Sequence, residues 1–148
     1  MTIQELLEDL EYYIPKLVNN PKSKRKRVVR RSLQYYTDTL YADGISIEAS
    51  KLLKEKGLDY TNTSDRLIIQ KVGGEKNQSK VMREHNLPIG QIINIFMDTP
   101  KENFKEVLET KLKTYWVTRE ENTKLNKSGY SRIRPENGYE LCGILLAE

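Results

Sequence analysis

The chain has very little of what most catalytic and metal centres are built from. Among 148 residues there is one cysteine, Cys142, and one histidine, His85. A lone cysteine excludes an intramolecular disulfide framework and any cysteine-rich zinc site. A lone histidine excludes multi-histidine metal cages and leaves only one way to build a catalytic triad or Cys-His pair. Aromatic content is lean, with two Phe and one Trp. No apolar run approaches the roughly 20 residues that span a bilayer, and Met1 to Leu10 reads as an acidic helix rather than a leader. The expectation is a protein of a reducing cytoplasm with no membrane association. Hydrophobic residues at 37% still suffice for a real core.

What is present is a concentration of positive charge. Lys22, Lys24, Arg25, Lys26, Arg27, Arg30 and Arg31 place seven cations in ten residues with no acid among them. The net charge is +4, so subtracting these seven leaves −3 for the remainder, a mildly acidic body with one cationic patch. Such a patch attracts polyanions through counterion release. An acidic protein surface is the other candidate partner, and a merely solvated helix face the bland alternative.

Periodicity predicts a single, mainly α (α+β) domain over 1–148, with about five to six helices and a small C-terminal antiparallel β element. Thr2 and Glu5 form a capping box ahead of Ile3, Leu6, Leu7, Leu10, Tyr13, Ile14, Leu17 and Val18 at helical spacing. Pro15 is expected to kink that helix or end it near Tyr13. A second helix is expected from Ser23 to before Gly44. Its stripe is Val29, Leu33, Tyr36 and Leu40, broadened by Val28 and Tyr35, with Lys24, Arg27, Arg31 and Gln34 opposite. The cations therefore become a presented helix face rather than a loose tail.

Ser46 should cap a third helix running to Lys56, with Gly57 as its left-handed terminator. Leu58 to Asp65 reads as loop, Arg66 to Val72 as either strand or helix, and 73–79 as a flexible loop. Pro88 suits the first turn of a helix carrying Ile89, Ile92, Ile93, Phe96 and Met97. Thr99-Pro100-Lys101-Glu102 reads as another capping box, ahead of a helix with Phe104, Val107, Leu108 and Leu112. Tyr115 to Val117 reads as a strand. Thr118 and Glu121 form a third box, for a helix ending at Gly129. After a turn at Pro135 to Gly138, Tyr139 to Leu146 is expected to be a strand paired with Tyr115 to Val117, with Cys142 a small buried residue in it.

One cluster bears on enzymatic chemistry. Glu84-His85-Asn86-Leu87-Pro88 resembles the first motif of HNH (ββα-metal) nucleases: an acid, then His, then Pro. The resemblance implies His85 as general base for water and Glu84 as ligand to a divalent cation. It covers five residues and departs from the family pattern. There is no second His, no framing Cys pair, and a helix follows Pro88 where a hairpin strand is expected. Asn94 and Asn103 are the candidates for the missing Asn, with nothing to single either out.

Gly73-Gly74 lacks the spacing of a phosphate loop. Glu120-Glu121 reads as a helix N-terminus complementing the dipole. Tyr130, Arg132 and Arg134 lie in a polar turn within reach of phosphate. One Tyr of each pair, Tyr12-Tyr13 and Tyr35-Tyr36, falls on a helix stripe, so packing is the expected role ahead of base stacking.

The leading expectation is a non-enzymatic, cofactor-free and metal-free protein that presents the basic helix to DNA, RNA or a nucleoprotein complex, of a kind suited to a bacterial or mobile-element origin. The alternatives are an inhibitor or adaptor of a nucleic-acid-handling enzyme, of the phage or mobile-element anti-defence type, and an HNH-like nuclease centred on His85.

Overall fold

A computed structural model describes residues 1–74, 76 and 78–148. Among these the chain is mainly helical, with eight α-helices and a three-stranded mixed sheet. None of the helices is long and apolar enough to cross a membrane. The chain folds into two compact units, residues 1–40 with 87–112, and residues 41–86 with 113–148.

The first unit is all helix. α1 (Ile3–Asn19) starts with the predicted capping box: Thr2 Oγ1 accepts from the Glu5 amide at 3.1 Å, and the Glu5 carboxylate accepts from the Thr2 amide. Leu6, Leu10, Ile14 and Leu17 are buried along one stripe. The helix does not end near Tyr13 but continues through Pro15. Pro15 lies on the exposed side, as does Glu11, whose carbonyl loses its helical partner, so solvent can hydrate it.

α2 (Arg25–Asp38) buries Val29 and Leu33, with Ser32 and Thr37 flanking them. It stops well before Gly44. Thr37 Oγ1 donates to the Gln34 carbonyl at 2.9 Å and Thr39 Oγ1 to the Tyr36 carbonyl at 2.7 Å, which satisfies last-turn acceptors and ends the helix. Leu40 therefore lies beyond the helix and is exposed. Val28 and Tyr35, expected to widen the apolar stripe, are also exposed.

α5 (Ile89–Met97) buries Ile89, Ile92, Ile93 and Phe96, with Pro88 at its N-cap. The Thr99 capping box does not form, because the Thr99 hydroxyl instead donates to the Ile95 carbonyl at the end of α5. A 3₁₀ turn, Lys101–Asn103, leads into α6 (Phe104–Lys111). Phe96 and Phe104 meet edge to face at 5.2 Å inside one continuous core that includes Leu6, Leu10, Val29 and Leu33.

The second unit is built on the sheet, ordered β1 (Gly44–Ile45), β3 (Thr114–Thr118), β2 (Val81–His85). β1 runs parallel to β3, and β2 runs antiparallel to it with Arg83 opposite Trp116. Side chains alternate across β3. Trp116 packs with Ala49 and Leu53 of α3 (Ile47–Glu55) and Ile68 of α4 (Asp65–Lys71). Tyr115 and Val117 pack with Leu125 of α7 (Arg119–Lys127) and Tyr139 of α8 (Gly138–Leu141). The ambiguous 66–72 stretch is thus helical. Gly57 takes the left-handed conformation (φ 66°) that ends α3. In the expected 73–79 loop, Gly73 and Ser79 are bridged, and Glu75 and Asn77 lie outside the described residues.

Tyr139 to Leu146 is not a strand. α8 and a left-handed turn at Gly143 replace it, and the link to the sheet is reduced to a bridge between Leu146 and Ser46. Tyr139 and Ile144 belong to one buried cluster, whereas five residues along a strand would face opposite sides. Both flanks of β3 are already taken by β1 and β2, so the antiparallel element is β2–β3 rather than C-terminal. Cys142 sits at the end of α8 and is only half-buried.

Leu33 is fully enclosed, and Leu33→Ala should lower unfolding free energy by about 2–5 kcal/mol. Val28→Ala, one residue off the stripe, should stay within about 0.5 kcal/mol of wild type. Urea denaturation checks both, and equal costs would mean that the helix phase is wrong.

Candidate nucleic-acid interface

The basic segment begins in the turn after α1. Ser23 Oγ accepts from the Arg25 amide at 3.2 Å, while Lys24, at the N-cap, makes no side-chain cap. Burial of Val29 and Leu33 fixes the rotation of α2, and Ser32 Oγ adds a bond to the Asp9 carboxylate at 3.0 Å. Lys22, Lys24, Arg25, Arg27, Arg30 and Arg31 are then exposed and Lys26 half-buried. Lys24, Arg27, Arg31 and Gln34 stand on the outer side, as helical phase predicts. Arg30 departs from that face. Its Nη2 lies 3.2 Å from where a Cβ on Gly90 would sit, so it lies along the first turn of α5.

The arrangement works against its own helix. The first turn holds no acid and the last turn no base, the reverse of what the helix dipole favours. Lys26 and Arg30, and Arg27 and Arg31, are like charges one turn apart, a spacing that costs a few tenths of a kcal/mol each. Among the described residues none of the seven cations lies within ion-pair distance of a carboxylate. An external polyanion would relieve this repulsion.

Tyr35 completes the outer face. Arg27, Arg31 and Tyr35 follow at four-residue steps, and Tyr35 is 59% exposed. Tyr36 turns inward against the core, as one member of each pair was expected to do, and Tyr13 does the same beside exposed Tyr12. On the wheel Tyr35 lies 120° from Val29 and 160° from Leu33 but only about 40° from Arg31, so the helical period itself puts it on the cationic face, and the expectation that it widens the apolar stripe ran against the phase.

Comparison with known protein families, curated proteins and solved structures finds no match for this chain.

The Glu84–His85 cluster lies in the second unit. It ends β2, a strand that carries no recognisable alternation in sequence. Glu84 Oε1 accepts from Arg134 Nη2 at 3.0 Å. Arg134 Nη1 donates to the carbonyls of His85 at 2.8 Å and Asn86 at 3.1 Å, and its Nε donates to the Tyr130 carbonyl at 3.0 Å. Arg134 is only 2% exposed, so it is not a turn arginine available to phosphate, whereas Arg132 is exposed. The close approach of Arg134 to Gly138 explains the glycine, since a Cβ there would lie 2.6 Å from Arg134 Cγ. The carboxylate that the nuclease resemblance assigns to a metal is thus bonded to a guanidinium. No three His, Cys, Asp or Glu side chains cluster as a metal site among the described residues. Asn94 and Asn103 belong to the other compact unit.

Glu121 is likewise structural. Its carboxylate accepts from the Thr118 amide at 2.9 Å, closing the predicted capping box, and from Ser46 Oγ at 2.6 Å. Ser46 Oγ in turn accepts from the Ala49 amide, so one buried carboxylate serves the N-termini of α3 and α7.

Tyr139 is the group most perturbed by its surroundings. Burial, and then the charge of Glu84, push its phenol well above the ordinary tyrosine range, and its buried hydroxyl has no hydrogen-bond partner among the described residues. The folded state therefore holds this proton more tightly than the unfolded state does. Stability should be fully present below about pH 10 and fall as pH rises further. In Tyr139→Phe, denaturation between pH 8 and 11 should show a weaker alkaline loss and no large cost at neutral pH. An unchanged alkaline slope would contradict this. Arg134→Ala should cost about 3–5 kcal/mol, because it strands a largely buried carboxylate and three carbonyls. Glu84→Gln, which keeps an acceptor, should cost less in the same denaturation series.

Proposed function

We propose that this protein is a non-enzymatic nucleic-acid-binding module whose contact surface is the outer face of α2. The observation that carries the reading is the set of exposed cations, Lys22, Lys24, Arg25, Arg27 and Arg31, on or beside a helix whose opposite face is locked into a core. A helix oriented by packing holds its guanidinium groups in register before a ligand arrives, which lowers the ordering cost of binding. Arginine suits phosphate because its planar fork can donate two parallel hydrogen bonds. The helix also carries its excess cations at the end where the dipole disfavours them, so neutralisation by phosphate stabilises the bound state twice over.

Binding of this kind has a defined salt signature. Each phosphate neutralised should contribute about 0.7–0.9 to the slope of log affinity against log salt. Fluorescence anisotropy with generic DNA and RNA over a salt series should give tight binding at low salt and a steep decline. Arg27→Ala combined with Arg31→Ala should weaken binding to all sequences and lower the slope by about one unit for each phosphate no longer neutralised, with unfolding free energy changed by less than about 1 kcal/mol. A double variant that binds as the wild type does, or a wild type that binds neither polymer at low salt, would refute the proposal.

A further inference from the structure

Building on the nucleic-acid reading of α2, we infer that this face takes single strands in preference to duplex, with Tyr35 as the stacking platform for one base. Arg27 and Arg31 lie one helical turn apart, about 6 Å along the axis, close to the separation of successive phosphates on an extended strand. Tyr35 follows Arg31 by one further turn and is 59% exposed, while Val28 beside Arg27 is 39% exposed. A purely electrostatic patch has no use for an aromatic ring and an aliphatic side chain set among its cations. A strand whose bases are free to splay does, because every base has a π-face to stack. Paired bases in a duplex already cover those faces with each other.

The other surface tyrosine of this helix pair is differently placed. Tyr12 meets Tyr13 edge to face at 4.9 Å and carries Lys16 Nζ 3.6 Å from its ring centroid. Tyr35 has no ring or cation contact of this sort among the described residues. The face also has a boundary. Asp38, held by Gln34 Nε2 at 2.9 Å, puts a carboxylate one turn past Tyr35. The strand therefore runs from Lys24 towards Tyr35 and the stacked base marks its end.

The test compares labelled oligothymidine with a mixed-sequence duplex of equal length, by anisotropy, for wild type, Tyr35→Ala and Tyr35→Phe. The single strand should bind more tightly than the duplex. Tyr35→Ala should weaken single-strand binding about 5- to 150-fold with an unchanged salt slope, since stacking releases no counterions, and Tyr35→Phe should restore it. Binding of both polymers that is indifferent to Tyr35→Ala would overturn this inference while leaving the basic-face reading intact. Failure of the wild type to bind either would remove both.

Discussion

The rotation of α2 depends on two side chains, Val29 and Leu33, which are enclosed in the core formed with α1, α5 and α6. Burying them leaves the helix one orientation, and that orientation decides which charges meet solvent. The Ser32–Asp9 bond adds a polar lock to the same face. Arg27, Arg31 and Tyr35 are outside because Val29 and Leu33 are inside. A flexible basic tail of the same composition would carry the same charge without fixed spacing, and would lose more side-chain and backbone freedom on binding.

That orientation is held against local electrostatics. Cations crowd the N-terminal turn of α2, where the dipole favours anions, and repeat at one-turn spacing where they repel. Local rules and global packing usually agree, and their disagreement tends to mark function. In the second unit the charged groups follow the opposite logic. Arg134, Glu84 and Glu121 are largely withdrawn from solvent and paired, tying a turn to the end of β2 and two helix starts to each other. Charge there builds architecture, whereas on α2 it is left available.

How much of this the sequence discloses follows from the range of the interactions. The capping boxes at Thr2 and Thr118, the Ser46 cap and the phase of α2 are written in residues a few positions apart, and all are legible. Pro15 misleads because its cost depends on whether the freed carbonyl reaches solvent, which is a tertiary fact. β2 is invisible because Val81-Met82-Arg83-Glu84-His85 lacks alternation and becomes a strand only by pairing with β3. The C-terminal apolar residues suggest a strand, but Tyr139 and Ile144 share one core cluster and so require a turn between them. Arg134 reads as a surface residue since three of its four acceptors lie about fifty positions away. The candidate face is legible in its charge, and the outward position of Tyr35 follows from the same phase that turns Arg27 and Arg31 to solvent, although the residue reads at first as part of the stripe.

The proposed nucleic-acid ligand would engage one defined helix face. Amide chemical shifts followed during titration of the isotopically labelled protein with a short oligonucleotide test this directly. The perturbations should concentrate on residues 22–35, and those of residues 41–86 and 113–148 should stay near their free values. Shifts centred on the sheet unit, or spread evenly over every lysine-bearing surface, would contradict the account.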